Sequence, residues 1–575
     1  MINIKIKQSE QCNGDYSLFV SFTYNSDVVA IVKSFPTRIY NRENQTWELP
    51  FNQLANLVNK LSDYDINISG KYIHLETSEK EIPSYFNFKT KPFKHQLEGI
   101  KYGLNHDKWL LGDEQGLGKT KQVIDIANIK GVKHCLIICC VNSLKWNWRK
   151  EVETHSNEGA WILGQRTYNG KAYISGNPDR LEDLQSINKL PRFIITNVET
   201  LRYKVKTGKK IQVKRKGRLV EEDEYIYPIT DKLKALCDKG IIDMIAVDEF
   251  HKCKNPEASQ TEQMLRLHAP VQIAMTGTPL MNAPIDLYAP LNWLGYEKHS
   301  FWQFKTHYGR LGGYNGKQVV GYKNLEEIED TLDTMMLRRL KEDVLDLPEK
   351  VYINEYVEMS KEQADIYDNI HKVIKDNIDK IKMSNNPLAE LIRLRQATGN
   401  PLIISDCVDN AKFDRMEELV DDAIANGRKV VIYSNWTQVT DPAYRRLSKK
   451  YHGALFTGDT KDSDRQAYVE AFQNDDKMKF IIGTTTAMGT GLTLTAGTVE
   501  IFLDEPWNMA LKEQAVDRCH RIGQKSSITI YTLLCKDTID ERINEIVEKK
   551  GKMADIIIDD KIEGDKNALI NYLLS

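Results

Sequence analysis

The sequence predicts an α/β protein: two parallel-sheet units separated by a helical insert, with a small α+β unit at the N-terminus. Three observations predict it. From about residue 90 to 300, short apolar runs alternate with helical stretches. The runs are Trp109–Leu111, Cys135–Val141, Phe193–Thr196, Met244–Val247 and Gln272–Met275. Runs of this length, apolar throughout and followed by polar or glycine-rich residues, are strands covered on both faces. Between about 300 and 400 the rhythm stops, and Leu325–Leu340 and Lys361–Lys382 read as helices rich in Glu, Lys, Ile and Leu. From about 410 the alternation returns with Val430–Tyr433, Ala454–Phe456, Phe480–Ile482, Glu500–Leu503 and Ile528–Leu534. The expected boundaries are 1–85, 86–300, 301–405 and 406–575.

In the N-terminal unit, Val28–Val32 and Lys71–Leu75 read as strands. Leu54, Leu57, Val58 and Leu61 have helix spacing within Pro50–Ser62. The polar stretch Tyr40–Thr46 ahead of Trp47 reads as a hairpin or loop, and Ile82–Thr90 as a linker.

The composition narrows the function. Of 575 residues, 41% are hydrophobic and 28% charged, as in a folded globular chain. Lys and Arg number 79 against 81 Asp and Glu, a net charge of −2. Nucleic-acid contact must therefore come from local basic patches rather than whole-chain attraction. The longest apolar run, Cys135–Val141, is too short to span a bilayer, so no membrane partner is expected. The first residues, MINIKIKQSEQ, have no apolar signal core. The nine cysteines include no C-x-x-C pair. A reducing, cytoplasmic setting is the expectation.

One charge block stands apart. Lys204, Lys206, Lys209, Lys210, Lys214, Arg215, Lys216 and Arg218 precede the acidic run Glu221–Glu224. It reads as a solvated hairpin with a basic arm balanced by an acidic one, as a phosphate-contacting insertion, or as a nuclear address.

The chemistry starts at Trp109-Leu-Leu-Gly-Asp-Glu-Gln-Gly-Leu-Gly-Lys-Thr120. An apolar strand runs into a glycine-rich turn and then a helix. Gly116 and Gly118 would let backbone N–H groups close around phosphate oxygens at a helix N-terminus. Lys119 would reach the β- and γ-phosphates, and Thr120 would hold Mg²⁺. Asp113 stands where the strict phosphate-loop pattern has its first Gly. A second apolar strand, Met244–Val247, leads directly into Asp248 and Glu249. Carboxylates at that end of a parallel strand face the ligand crevice. Asp248 can hold the metal and Glu249 can orient or deprotonate an attacking water. Either segment alone has a bland reading, as a glycine-rich helix start or a solvated strand end. Together they read as a nucleotide-hydrolysis site. In the second unit, Arg518 and Arg521 within Gln514–Gln524 stand three apart, one face of a helix. They read as arginine fingers or as surface ion-pairing residues.

These segments resemble the motifs of superfamily 2 helicases, specifically the Swi/Snf family of double-stranded DNA translocases. The match runs in order over about residues 90–550. Lys94-His-Gln-Leu-Glu-Gly resembles the adenine-reading element, with Gln96 as the base contact. Asp113-Glu-Gln-Gly-Leu-Gly-Lys-Thr120 resembles motif I in its family form, which accounts for Asp113. The resemblance makes Asp113, Glu114, Gln115, Gly116, Leu117, Gly118, Lys119 and Thr120 nucleotide contacts. Asp248-Glu-Phe-His251 resembles motif II, with Phe250 in place of a small residue. Thr276-Gly-Thr-Pro-Leu-Met-Asn282 resembles motif III. Met336-Leu-Arg-Arg-Leu-Lys-Glu-Asp-Val-Leu345 with Leu347–Lys350 resembles a signature of the family's helical insert. Gly489-Thr-Gly-Leu-Thr-Leu-Thr495 resembles motif V, which adds Gly491 to the nucleotide contacts. Trp507-Asn508 and Gln514–Gln524 resemble motif VI and its approach. Val141 and Met509 stand where the family usually has Pro.

The resemblance implies two RecA-like units, ATP and Mg²⁺ as cofactors, and double-stranded or forked DNA as partner. Lys119, Asp248, Glu249, Arg518 and Arg521 would be catalytic, and Thr120 and Asp248 would hold the metal. Ser143, Thr196, Asn197, Ser434, Thr493 and Trp507 would contact DNA. Phe35–Tyr40, Trp47–Pro50 and the helix to Leu61 resemble the HepA-related accessory domain of annealing helicases. Arg38, Arg42 and Trp47 would then meet forked DNA; the alternative is that Tyr40 and Trp47 fill a small core. The expected setting is the cytoplasm, at the nucleoid of a bacterial or virus-infected cell, with the nucleus as alternative. A strand-separating helicase, the motor of a defence or restriction system, and a DNA-binding module with a dead ATPase are the competing functions. The insert signature and the Arg-Ile-Gly-Gln ending speak against the first two. The intact Lys119, Thr120, Asp248 and Glu249, with both Arg518 and Arg521, speak against the third.

Overall fold

The computed structural model describes residues 2–8, 16–35, 38–42, 44–70, 80–142, 144–215, 218–277, 283–312, 316–377, 388–488, 492–506 and 509–550. The expected strand Lys71–Leu75 lies outside them. So do the site residues Ser143, Gly491 and Trp507, and Thr278–Asn282 of the third motif. The chain divides into two compact units: Met1–Glu114 with Gly118–Arg339, and Gln115–Leu117 with Leu340–Ser575.

The first unit carries a seven-stranded sheet. Its order is Met336–Leu337, Lys108–Leu111, Val271–Met275, Met244–Asp248, Cys135–Cys139, Phe193–Asn197 and Ala160–Ile162. Every pairing is parallel. Alternate residues of each strand enter two different cores. Leu110, Leu136, Ile138, Ile245 and Val247 point to one face, and Trp109, Leu111, Ile137, Met244 and Ala246 to the other. That two-sided burial is why the strands lack polar alternation in the sequence.

The N-terminal strands form a separate sheet, ordered Ile39–Asn41, Thr46–Pro50, Tyr16–Phe22, Ile2–Gln8 and Ile66–Gly70. Ile39–Asn41 and Thr46–Pro50 make the expected hairpin. Val28–Val32, read as a strand, is instead part of the helix Ser26–Lys33. Asn25 decides the matter locally, because its side chain accepts from the N–H groups of Asp27 and Val28 at 2.9 and 3.1 Å. Val28 and Val32, one turn apart, then bury together. The helix expected over Pro50–Ser62 is observed as Leu54–Lys60 after a single 3₁₀ turn.

The second unit repeats the architecture. Its sheet runs Lys350–Val357, Ile528–Cys535, Gly497–Phe502, Lys429–Ser434, Met478–Thr484 and His452–Phe456, again all parallel. The helices Lys361–Asp376, Leu388–Gly399 and Ile539–Lys550 share one apolar core through Tyr367, Leu391, Leu394, Ile539 and Ile543.

The stretch expected as a helical insert is shared between the two units. The helix Leu325–Met335 stops five residues short of its expected end, because Met336 and Leu337 pair with Leu110 and Leu111 as an edge strand of the first sheet. Lys350–Val357 does the corresponding job in the second sheet. Lys206, Lys209, Lys210, Lys214 and Arg215 of the basic block lie in the first strand of a hairpin, Val205–Arg215 with Arg218–Ile226, whose second strand Arg218 opens; Lys216 lies outside the described residues. Lys206 pairs with Asp223 at 2.6 Å and Lys210 with Glu221 at 3.5 Å, so part of the basic arm is balanced by its own acidic strand. Among the described residues no helix is long and apolar enough to cross a membrane.

Candidate active site

The glycine-rich turn leaves the C-terminal end of Lys108–Leu111 and enters the helix Lys119–Lys130. Gly116 and Gly118 take φ of +87° and +76°, the left-handed region that suits glycine. A β-carbon on Gly118 would also collide with the Gln96 amide nitrogen. Gly118 caps a twelve-residue helix with no side-chain acceptor at its N-terminus. The first-turn N–H groups therefore suit an anion. Lys119 folds back over this turn, donating from Nζ to the carbonyls of Asp113 at 2.7 Å and Glu114 at 3.3 Å. Thr120 follows, half-buried, while Gln115 and Leu117 are buried. Gln96 is buried in the helix Lys94–Asn105, and its Oε1 accepts from the Phe93 N–H at 3.0 Å.

Asp248 ends the strand Met244–Asp248, at the same edge of the sheet, and Glu249 follows it as the residue that leads into the 3₁₀ turn Phe250–Cys253. Both are buried. The Trp148 indole N–H donates to Asp248 Oδ2 at 2.8 Å, and the Glu249 N–H donates to Oδ1 at 2.9 Å. Burial, and then the Glu249 charge, push the Asp248 carboxyl up to about 6; the Trp148 hydrogen bond and the Lys119 charge oppose them. Glu249 is held at φ +53°, an uncommon conformation for a residue with a side chain. His251 lies 3.3 Å from Glu249 Oε2 and 3.0 Å from Thr276 Oγ1, in both cases through Nδ1. Burial first, then Lys252, Lys119 and Lys254, push its pKa down to about 3, so its imidazole is neutral. Phe250 is buried against Trp293, with ring centroids 5.6 Å apart.

Oxygen donors suit magnesium, which takes one or two carboxylates and keeps its remaining positions for water and phosphate. Asp248 and the Thr120 hydroxyl have that chemistry. Asp248 also keeps its carboxylate supported by two N–H donors.

The second unit corrects one expectation. Arg518 and Arg521 are not on a helix face, because the helix Met509–Val516 ends before them. They lie in the following turn, which Gln524 stitches by donating from Nε2 to the carbonyls of Thr495, Gly497 and Cys519 at 3.0–3.2 Å. Arg521 Nη1 donates to Thr493 Oγ1 at 2.9 Å, and Arg518 Nε to the Gln514 carbonyl at 3.1 Å. Lys341 holds the same turn, pairing with Asp517 and donating to the His520 carbonyl at 3.1 Å.

Several residues expected to meet DNA have internal partners. Ser434 is fully buried and its hydroxyl donates to Asp504. Thr196 is buried in its strand, and Asn197 accepts from the Thr200 hydroxyl at 2.7 Å. Arg38 donates to the Phe35 carbonyl at 2.7 Å, and the Tyr40 ring packs tilted against Trp47, at 44° with centroids 4.7 Å apart. Sequence reasoning gave no role to Trp148, Gln122 or Arg339. Trp148 sits with Leu144 and Val152 at helix spacing, which reads as core and hides its polar end.

The SNF2-related domain model matches residues 95–402, and the helicase conserved C-terminal domain model matches 411–523. The chain is 26% identical to a Caenorhabditis elegans protein named as a homolog of SWI/SNF-related matrix-associated actin-dependent regulator of chromatin subfamily A-like protein 1; the alignment covers 93% of this chain and 74% of that one. It is 27% identical to an uncharacterized ATP-dependent helicase of Mycoplasma pneumoniae, over 88% of this chain and 45% of that one. Thus it spans about three quarters of the first relative and less than half of the second. Among solved structures it is similar to a Sulfolobus solfataricus SWI2/SNF2 ATPase core in complex with dsDNA, with 23% identity, a TM-score of 0.36, and coverage of 84% of this chain and 96% of that one. With the SNF2-related model covering more than half of its length, the chain belongs to the SNF2-related family of helicase-like, ATP-driven motors.

Proposed function

We propose that the protein hydrolyses ATP to move along double-stranded or forked DNA, remodelling or reannealing DNA structures or displacing bound proteins. The observation that carries this reading is that Lys108–Leu111, which leads to Lys119, and Met244–Asp248 end at the same edge of one parallel sheet, where the Lys119 charge acts on the Asp248 carboxyl.

In this reading the phosphates displace the two carbonyls from Lys119 and lie against the N-terminus of Lys119–Lys130. Gln96 reads the adenine, and Asp113 to Gly118 shape the turn. Asp248 and Thr120 hold Mg²⁺, which neutralises charge on the transferring phosphoryl group when bound. Glu249 orients and deprotonates the attacking water; His251, being neutral, adds no competing charge beside it. Arg518 and Arg521 stabilise charge that develops in the transition state. Gly491 and the DNA contacts at Ser143, Thr493 and Trp507 are carried over from the family resemblance; Thr196, buried in its strand, and Asn197 and Ser434, buried on internal partners, are left to position the loops beside them. The same holds for residues 1–85 as an accessory domain for forked DNA, for 86–300 and 406–575 as the two motor domains, and for 301–405 as the family's insert. The cytoplasm is the proposed setting.

Contacts to phosphates rather than base edges imply low sequence specificity. The test is displacement of a third strand from a DNA triplex with ATP. Release of the third strand from an intact duplex supports movement on duplex DNA. Separation of the duplex itself would identify a strand-separating helicase instead.

A further inference from the structure

We propose that Arg339 is a positioning residue of the nucleotide site, tying the glycine-rich turn, the phosphate-binding helix and the adenine-reading helix into one rigid piece. This inference rests on the ATPase reading above.

The starting point is Asp113, the residue that stands in the place of a glycine. It is fully buried. Its Oδ1 accepts from Arg339 Nε at 2.9 Å, and its Oδ2 from Gln122 Nε2 at 3.0 Å and from Arg339 Nη2. The guanidinium thus grips the carboxylate with two parallel bonds, a geometry that only Arg supplies. The same guanidinium reaches further. Its Nη2 donates to Gln122 Oε1 at 3.0 Å, and its Nη1 donates to the carbonyl of His95, the neighbour of Gln96.

The backbone repeats the connection. Leu337 accepts from the Gly112 N–H at 2.8 Å, and Arg339 from the Glu114 N–H at 3.0 Å. The edge strand Met336–Leu337 therefore delivers Arg339 directly onto the turn. Gly99 makes the room: a β-carbon there would strike the Gln122 amide and the Arg339 guanidinium. The Asp113 carbonyl that faces Lys119 belongs to the residue that Arg339 holds. A loosened Asp113 would let both the turn and Lys119 wander, and a freed His95 carbonyl would loosen the helix that carries Gln96.

The test uses the full chain with a fluorescent ATP analogue, comparing wild type, Arg339→Lys and Asp113→Asn. Arg339→Lys keeps the charge and loses the fork. The expected result is a rise of about tenfold in the dissociation constant for the analogue and in the ATP KM. The preference for ATP over GTP should narrow, while the unfolding midpoint without nucleotide stays within a few degrees. A change in base preference is what a merely structural role would not produce. A second measurement guards against misfolding. In Arg339→Gln combined with Asp113→Asn, two neutral amides replace the ion pair, so the double variant should lose less affinity than Arg339→Gln alone and Asp113→Asn alone lose in sum. Arg339→Lys and Asp113→Asn that bind within twofold of wild type with unchanged base preference would overturn the inference. Failure of the wild-type protein to bind the analogue would overturn the ATPase reading itself.

Discussion

Trp148 and Asp248 are a hundred residues apart in sequence, and the indole N–H of the first donates to the carboxylate of the second at 2.8 Å. The bond is buried, and it supports the charged form of a carboxyl that burial pushes the other way. Leaving a buried acceptor without its donor costs about 1–3 kcal/mol. Trp148→Phe keeps the ring volume roughly and removes the donor. ATP turnover at neutral pH is expected to fall about tenfold, with a modest loss of stability. Steady-state hydrolysis checks this, and a rate within twofold of wild type would remove Trp148 from the account.

Lys119 and Glu249 separate binding from chemistry. Lys119→Ala removes the cation that meets the phosphates, and nucleotide binding should be lost. Glu249→Gln keeps the shape of the site and removes the base, so binding should persist while hydrolysis falls by orders of magnitude. Equilibrium binding and single-turnover hydrolysis on the two variants check the division. Hydrolysis by Glu249→Gln at the wild-type rate would sink the assignment.

Glu500 gives the second unit a pH signature. It is fully buried in the strand Gly497–Phe502. Burial first, then the charges of Asp517 and Glu513, push its carboxyl well above the ordinary range, against a bond from Cys519 and the Lys350 charge. The folded form holds a proton that the unfolded chain has already lost. The stability this supports is complete below the ordinary Glu value of about 4.3 and drains away as pH rises through the folded value. Glu500→Gln has no such slope. Its unfolding midpoint relative to wild type should rise steadily from pH 5 to 8, as thermal melts across that range would show. A difference independent of pH would contradict it.

Much of the fold was legible because doubly covered strands leave uninterrupted apolar runs. Cys135–Cys139 and Met244–Asp248 have five buried residues each, and both stood out at once. Val28–Val32 was misread because an apolar run of five has no period of its own, and only the Asn25 cap distinguishes helix from strand. The edge strand Met336–Leu337 is missed because two residues are too short for a pattern, and the eight-residue Lys350–Val357 because an edge strand is half exposed. The site was legible where its chemistry is local, in Gly116–Thr120 and Asp248–Glu249. Trp148 and Arg339 were not, since each meets its carboxylate through tertiary structure and no spacing in the chain encodes the meeting.

The most direct measurement is steady-state ATP hydrolysis with no DNA, single-stranded DNA, plain duplex and forked duplex at one fixed salt concentration. Low basal turnover and strong stimulation by duplex or forked DNA are expected, with a preference for forks assigning fork recognition to residues 1–85. Stimulation by single strands alone, or no turnover with any of the four, would contradict the proposed function.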